Sequence, residues 1–250
     1  MTTDGRVALQ QAYLLHRKPY RDTSLLIEAF CPDYGRIGLV ARGARGKRSR
    51  LQAVLQPFQP LLLSWSGHCE LHTLTAAEAS GAPLSLAGDA LISGFYINEL
   101  LMRLLARDDP HPGLYHSYCR TLDRLNTSAD NEWTLRLFER ELLQELGYGL
   151  QLTHDSVSAQ PLDEDARYCY HIEHGPQRTD ADRADCLAVH GATLLALHSG
   201  EIRGKQCRRE AKQLMRTILQ RYLGPRPLAS RELFKARYAY TKRDNTTSND

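Results

Sequence analysis

The sequence predicts an α+β chain in which the β part comes first, a small five-stranded barrel followed by a mainly helical domain. Three observations predict it. Before residue 80, apolar residues fall in short runs separated by turn residues, with no helical period. After about residue 84 the period changes to that of buried and amphipathic helices. A length of 250 residues suffices for one large or two modest domains with a core that needs no metal or disulfide staple.

Val7 to His16 is apolar-rich, and Ser24 to Phe30 (SLLIEAF) follows it. Pro32-Asp33-Tyr34-Gly35 then makes a turn into Arg36 to Ala41. Pro57 to Trp65 leads through Ser66-Gly67 into Glu70 to Ala76. Five short strands of this total length suit an oligonucleotide-binding (OB) barrel.

Leu86 to Ala106 is apolar almost all round, with Leu91, Ile92, Phe95, Ile97, Leu100 and Leu104 on different faces, and reads as the buried spine of a helical domain. His111 to Leu125 and Asn131 to Leu146 read as two more helices, the second started by Asn131 or Asp130 and stopped at Gly147. Residues 150–186 are polar and weakly patterned, with one short strand at Tyr168 to Ile172. A short helix near Gly191 to His198 and a long one from Lys205 to Leu223 complete the pattern, the latter stopped by Gly224-Pro225. The expected domains are an OB-fold domain over 1–80, a helical domain over 81–240 with a polar insertion near 150–186, and a disordered tail over 241–250.

The 32 basic and 29 acidic side chains leave a net charge of only +3, so the distribution matters more than the sum. Between Tyr34 and Cys69 there is no Asp or Glu, while Arg36, Arg42, Arg45, Lys47, Arg48 and Arg50 fall in that stretch. Such asymmetry suits a polyanionic partner; the alternative is a basic hairpin balanced by carboxylates elsewhere in space. No run of about 18 apolar residues offers a bilayer span, and a cytoplasmic protein is expected. The six cysteines show no C-x-x-C pair and are expected to be free thiols.

The run Ala41 to Arg50 (ARGARGKRSR) resembles a phosphate-cradling P-loop only superficially. Aligned on Gly46-Lys47, Ala41 stands where the first Gly is required and Arg48 where Ser or Thr would hold magnesium. Gripping a sugar-phosphate backbone asks less: glycines at 43 and 46 permit close approach and the cations each reach a phosphate. Six such contacts to a single strand correspond to a log–log salt slope of roughly −4. Among nearby aromatics, alternation puts Phe30, Phe58 and Trp65 in the core and leaves Tyr20 and Tyr34 as candidate stacking platforms.

Lys205, Arg209, Lys212 and Arg216 are spaced 4, 3 and 4 apart, which keeps them in one stripe of the long helix, opposite Cys207, Ala211, Leu214 and Ile218. The stripe is either a solvated face or an extension of the basic track. On Asn131 to Leu146, Arg136, Arg140, Leu143 and Leu146 would suit an acidic peptide ending in an apolar side chain. Spacing alone favours intrahelical pairing with Glu132 and Glu139.

Cys169, His171, His174, Cys186 and His190 lack the close ligand pairs of a zinc module, and no metal or cofactor is expected. No hydrolase, zincin or dinucleotide motif occurs, so no enzyme is expected. The rival readings are a nuclease or NTPase built on the basic loop, and an RNA-binding barrel protein.

Four stretches in order, GRIGLVARGARGKRSRLQAVLQPFQPLLLSWSG, YINELLMRLL, LFERELLQELGYG and YLGPRPLASRELF, resemble the bacterial DNA repair and recombination family RecO, over about residues 7 to 237. The resemblance implies an N-terminal OB barrel followed by a helical domain. It further implies binding to single- and double-stranded DNA, annealing of strands coated with the single-stranded-DNA-binding protein, and loading of RecA together with RecR, without NTP hydrolysis. It places the basic loop on the DNA-binding face, and marks Arg136 and Leu146 as residues that dock the acidic tail of the single-stranded-DNA-binding protein. Many family members carry a four-cysteine zinc finger after the LGYG helix; this chain keeps only Cys169 and Cys186 there, which resembles the branch without metal.

Overall fold

The structure is a computed structural model and describes residues 5–67, 71–127, 130–179, 186–202 and 204–237. Cα proximity divides the chain into two compact units, Met1–Ala129 with Pro227–Asp250, and Asp130–Arg226.

In the first unit β1 (Arg6–Tyr20), β2 (Ser24–Cys31), β3 (Gly35–Ala41), β4 (Leu61–Ser66) and β5 (Leu71–Ala79) close into a barrel of order β1-β2-β3-β5-β4. Only the β3–β5 pairing is parallel. A short helix, α1 (Leu51–Val54), sits between β3 and β4. The alternation of LLLSWS turns Leu61, Leu63 and Trp65 into the barrel, where they meet Ile27, Ile37, Leu39 and Leu55. β1 is long enough to pair with both β2 and β4 because its register shifts twice, between Val7 and Gln10 and between Leu14 and His16. Such bulges bend a strand round a barrel corner.

The outer side of β1 and β2 is covered rather than solvated. Tyr13 and Phe30 pack against Tyr115 and Tyr118 of α3 (Pro112–Thr127), with ring centroids 5.4 to 6.2 Å apart. The Asn98 amide of α2 (Gly88–Leu104) donates to the carbonyls of Leu14 and Leu15 at the second bulge, where the register with β2 skips Leu15. The Tyr118 hydroxyl donates to the Asn98 carbonyl oxygen at 2.7 Å. Gly35, at φ +64°, starts β3 under the backbone of Asp109; a Cβ there would come within 1.8 Å of the Asp109 carbonyl oxygen. Residues 229–237 are helical and return to α2: the Glu99 carboxylate accepts from the backbone N–H groups of Ala229 and Ser230 and from the Ser230 hydroxyl at 2.7 to 2.9 Å.

The second unit holds α4 (Asn131–Glu145), a three-stranded sheet of β6 (Arg167–His171), β7 (Gly175–Arg178) and β8 (Leu187–His190) in order β7-β6-β8, α5 (Gly191–Ser199) and α6 (Gly204–Leu223). Asp130 caps α4 by accepting from the Trp133 N–H at 3.1 Å.

The described part of the segment read as weakly patterned is thus folded. Polar bonding organises it: the Asp155 carboxylate accepts from the N–H groups of Val157, Ser158 and Arg178 at 2.7 to 2.9 Å, while Tyr168 and Tyr170 supply the buried face. The expectation of free thiols throughout is corrected here, because Cys169 and Cys186 form a disulfide with Cα atoms 5.4 Å apart. The β6–β8 pairing sets Cys169 opposite Ala188, which brings the residue just before β8 within reach. Cys31, Cys119 and Cys207 are free. Cys69, the first residue of the expected last strand (Glu70) and the tail over 241–250 lie outside the described residues.

Candidate nucleic-acid interface

The basic run leaves the barrel at the end of β3 and is built by an in–out pattern. Ala41 and Ala44 are fully buried in the barrel core, and Leu55 is buried at the far end, so the chain is fastened on both sides. Between these anchors Arg42, Arg45, Lys47, Arg48 and Arg50 are exposed. Two successive turns compact the loop, with Gly46 N–H donating to the Gly43 carbonyl at 3.0 Å and Ser49 N–H to the Gly46 carbonyl at 2.9 Å. Gly43 has φ +67° with open space where a Cβ would stand, so its role is the left-handed backbone. Among the described residues none of the five cations pairs with a carboxylate.

Arg36 is a correction to the sequence-derived set of cations. It lies within β3, its side chain only 16% exposed, 3.5 Å from the buried Glu28 carboxylate and donating to the Met102 carbonyl. Glu28 also pairs with Arg107. Arg36 therefore belongs to an internal ion cluster of this unit and is not on the open surface. The aromatic expectation changes too: Tyr34 packs edge-on against Trp65 at 5.0 Å, and Tyr20 is half-buried with the Arg21 guanidinium 5.2 Å from its ring.

The barrel adds cations that the sequence reading missed. Arg45 donates through its backbone N–H to the Thr23 carbonyl at 2.8 Å and through its guanidinium to the Arg21 carbonyl at 3.2 Å, which fastens the basic loop to the β1–β2 turn. Arg17, Lys18 and Arg21, from the end of β1 and that turn, are thereby set beside Arg45, and Arg17, Lys18 and Arg45 line one recess. The signal was present as His16-Arg17-Lys18-Pro19-Tyr20-Arg21, but only strand pairing shows that this run and the loop share an end of the barrel.

In the second unit Lys205, Arg209, Lys212 and Arg216 are exposed along α6, opposite the buried Cys207, Ala211, Leu214 and Ile218. Lys212 meets Glu132 at 2.7 Å, an exposed pair that contributes little. On α4, Arg136 is buried and pairs with the buried Glu139, the intrahelical alternative that spacing favoured. Arg140 donates to the carbonyls of Leu197 and His198 in the last turn of α5, and Leu143 is fully buried. Leu146 is only partly covered. Of the five residues weighed as zinc ligands, Cys169 and Cys186 bond each other and His190 holds the Glu210 carboxylate at 2.8 Å. Among the described residues no helix is long and apolar enough to cross a membrane.

Comparison with known proteins places these features in a family. The family model described as Recombination protein O N terminal matches residues 6–82, and the one described as Recombination protein O C terminal matches residues 86–232. A DNA repair protein RecO from Alkalilimnicola ehrlichii is 50% identical over 232 residues, covering 92% of each chain. That of Methylococcus capsulatus is also 50% identical, covering 93% of this chain and 95% of its own, and that of Nitrosococcus oceani is 46% identical, covering 92% and 94%. With both models matched in chain order and such identity over almost the full length of these relatives, the chain belongs to the RecO family of DNA repair and recombination proteins.

Proposed function

We propose that this chain is a recombination mediator of the bacterial cytoplasm and nucleoid that works by binding and makes or breaks no covalent bond. It holds single- and double-stranded DNA, anneals complementary strands coated with the single-stranded-DNA-binding protein, and with RecR promotes loading of RecA. The observation that carries the reading is the set Arg42, Arg45, Lys47, Arg48 and Arg50, exposed and unpaired with carboxylates among the described residues, on a loop fastened to a closed OB barrel. Two strands brought together repel each other; these cations offset the repulsion without reading sequence, and base pairing then selects the partner. The α6 stripe of Lys205, Arg209, Lys212 and Arg216 serves as a second phosphate-binding surface. Docking of the acidic tail of the single-stranded-DNA-binding protein involves Arg140 and Leu146, whose side chains stay partly open, with the Arg136–Glu139 pair and Leu143 holding α4 in shape.

Titration of the protein with single-stranded DNA at several salt concentrations tests this. Five phosphates neutralised at the loop correspond to a log–log slope of about −3.5, made steeper by any contribution from α6. A slope near zero, clear preference for RNA in competition, or sustained cleavage of DNA or hydrolysis of ATP that copurifies with the chain would each overturn it.

A further inference from the structure

The recess between the β1–β2 hairpin and α1 has a cavity volume of about 250 Å³ and is lined by Arg17, Lys18, Pro19, Leu25, Arg45 and Gln52. Three of the six lining residues are cationic and none is acidic. The nearest carboxylate in sequence, Asp22, lies in the β1–β2 turn with its side chain exposed, and does not line the recess. Two of the cations are already set in place. The Arg17 guanidinium donates to the Leu55 carbonyl at 2.6 Å and to the Gln56 side-chain oxygen at 3.1 Å, and that of Arg45 donates to the Arg21 carbonyl at 3.2 Å. None of these three bonds consumes a positive charge, because all three acceptors are neutral. Preset donors lose little side-chain freedom on binding.

We propose that this recess seats the terminal phosphomonoester of a polynucleotide, so that the protein holds strand ends more tightly than strand interiors. The inference rests on the DNA-binding reading above and sharpens it. Charge decides between an end and an interior: an internal phosphodiester carries one negative charge, whereas a terminal monoester carries about 1.5 to 2 near pH 7. Three lining cations without an acid far exceed the charge of the first and come nearer to that of the second. Size points the same way. The cavity is smaller than the roughly 300 Å³ at which pockets for whole small molecules begin, and so takes a terminal phosphate with part of its sugar rather than a whole nucleotide. Pro19 and Leu25 offer the sugar an apolar wall, and the Gln52 amide offers it a hydrogen bond. Because Arg45 belongs to both the recess and the basic loop, a strand anchored by its end continues along Lys47 and Arg48.

The experiment is a binding titration of the full chain, at one low salt concentration, with three oligodeoxynucleotides identical except for a 5′-phosphate, a 3′-phosphate or hydroxyl groups at both ends. The expected result is roughly tenfold tighter binding of one phosphorylated form, the worth of one extra charge-assisted hydrogen bond, and the two phosphorylated arms show which end is seated. The preference should shrink as pH falls through about 6, where the monoester takes up its second proton. Lys18→Ala, at an exposed position, should bring the preference to within about twofold, while Lys235→Ala, which removes an exposed cation paired with Glu232, keeps it. Equal affinity for all three oligonucleotides, or a full preference in Lys18→Ala, overturns the end-binding inference and leaves the DNA-binding reading standing. Binding of none of the three overturns both.

Discussion

At the scale of single residues, the difference between Arg36 and the cations that follow it comes from Glu28. That carboxylate is buried on β2 and sits between Arg36 and Arg107. Burial pushes the Arg36 guanidinium below its ordinary value, Glu28 acts against this, and Arg107 acts with it. Glu28→Ala would leave two guanidinium groups facing each other in a partly desolvated site, and is expected to lower stability by about 2–4 kcal/mol, read from the urea midpoint. A shift below about 0.5 kcal/mol would show that water already compensates the cluster. The exposed cations behave oppositely. Replacing Arg45, Lys47 and Arg48 together by Ala should leave the urea midpoint nearly unchanged and flatten the salt slope of single-strand binding by about 2. An unaltered slope would mean that phosphates are held elsewhere. Both kinds are cations of one acid-free stretch, so composition alone could not separate them; the strand position of Arg36 and the turn positions of the others do.

At the scale of elements, legibility followed the source of stabilisation. The helices α2, α3, α4 and α6 are held by apolar faces, so their period is written in the sequence, and the expected spans fall close to those observed. β7 and β8 are held by pairing with β6, and β7 also by an Asp155 bond, and none of these leaves a period. The disulfide belongs to the same class, since its cysteines lie 17 positions apart and only the β6–β8 register joins them. The return of 229–237 to α2 likewise depends on one side chain. Burial alone would raise the Glu99 carboxyl, but the bonds from Ser230 and Ala229, with Arg103 nearby, outweigh it and hold it below the usual carboxylate range. A depressed folded-state value means that the contribution is complete above the unfolded value of about 4.3 and is lost as pH falls through the folded one. Amide protection in 229–237, measured relative to intrinsic exchange at each pH, should therefore fall below about pH 4. Glu99→Gln should cost about 1 kcal/mol at neutral pH and remove that acid dependence; acid-induced exchange that persists in the variant would assign it to another carboxylate.

At the scale of the whole molecule, the two compact units each contain one of the two tryptophans. Trp65 is buried inside the barrel, and Trp133 is buried in the second unit, where its indole N–H donates to the Gly200 carbonyl at 2.9 Å. Single-tryptophan variants, Trp133→Phe and Trp65→Phe, should report different urea midpoints by fluorescence; superimposable curves would show one cooperative transition. Because residues 227–237 belong to the first unit, ending the chain at Arg226 should lower the Trp65 midpoint and leave the Trp133 midpoint nearly fixed. An unchanged Trp65 midpoint would show that this segment adds nothing to the barrel unit.

By itself the sequence determined the β-then-α order, the long helices and the acid-free basic stretch, because hydrophobic period and charge are properties of neighbours along the chain. Tertiary structure alone decided which of those cations reach solvent, that Arg17 and Lys18 join Arg45 in one recess, and that Cys169 meets Cys186. Each of these depends on strand register, which is set by pairing between distant segments, and a linear pattern carries no record of the distance between them.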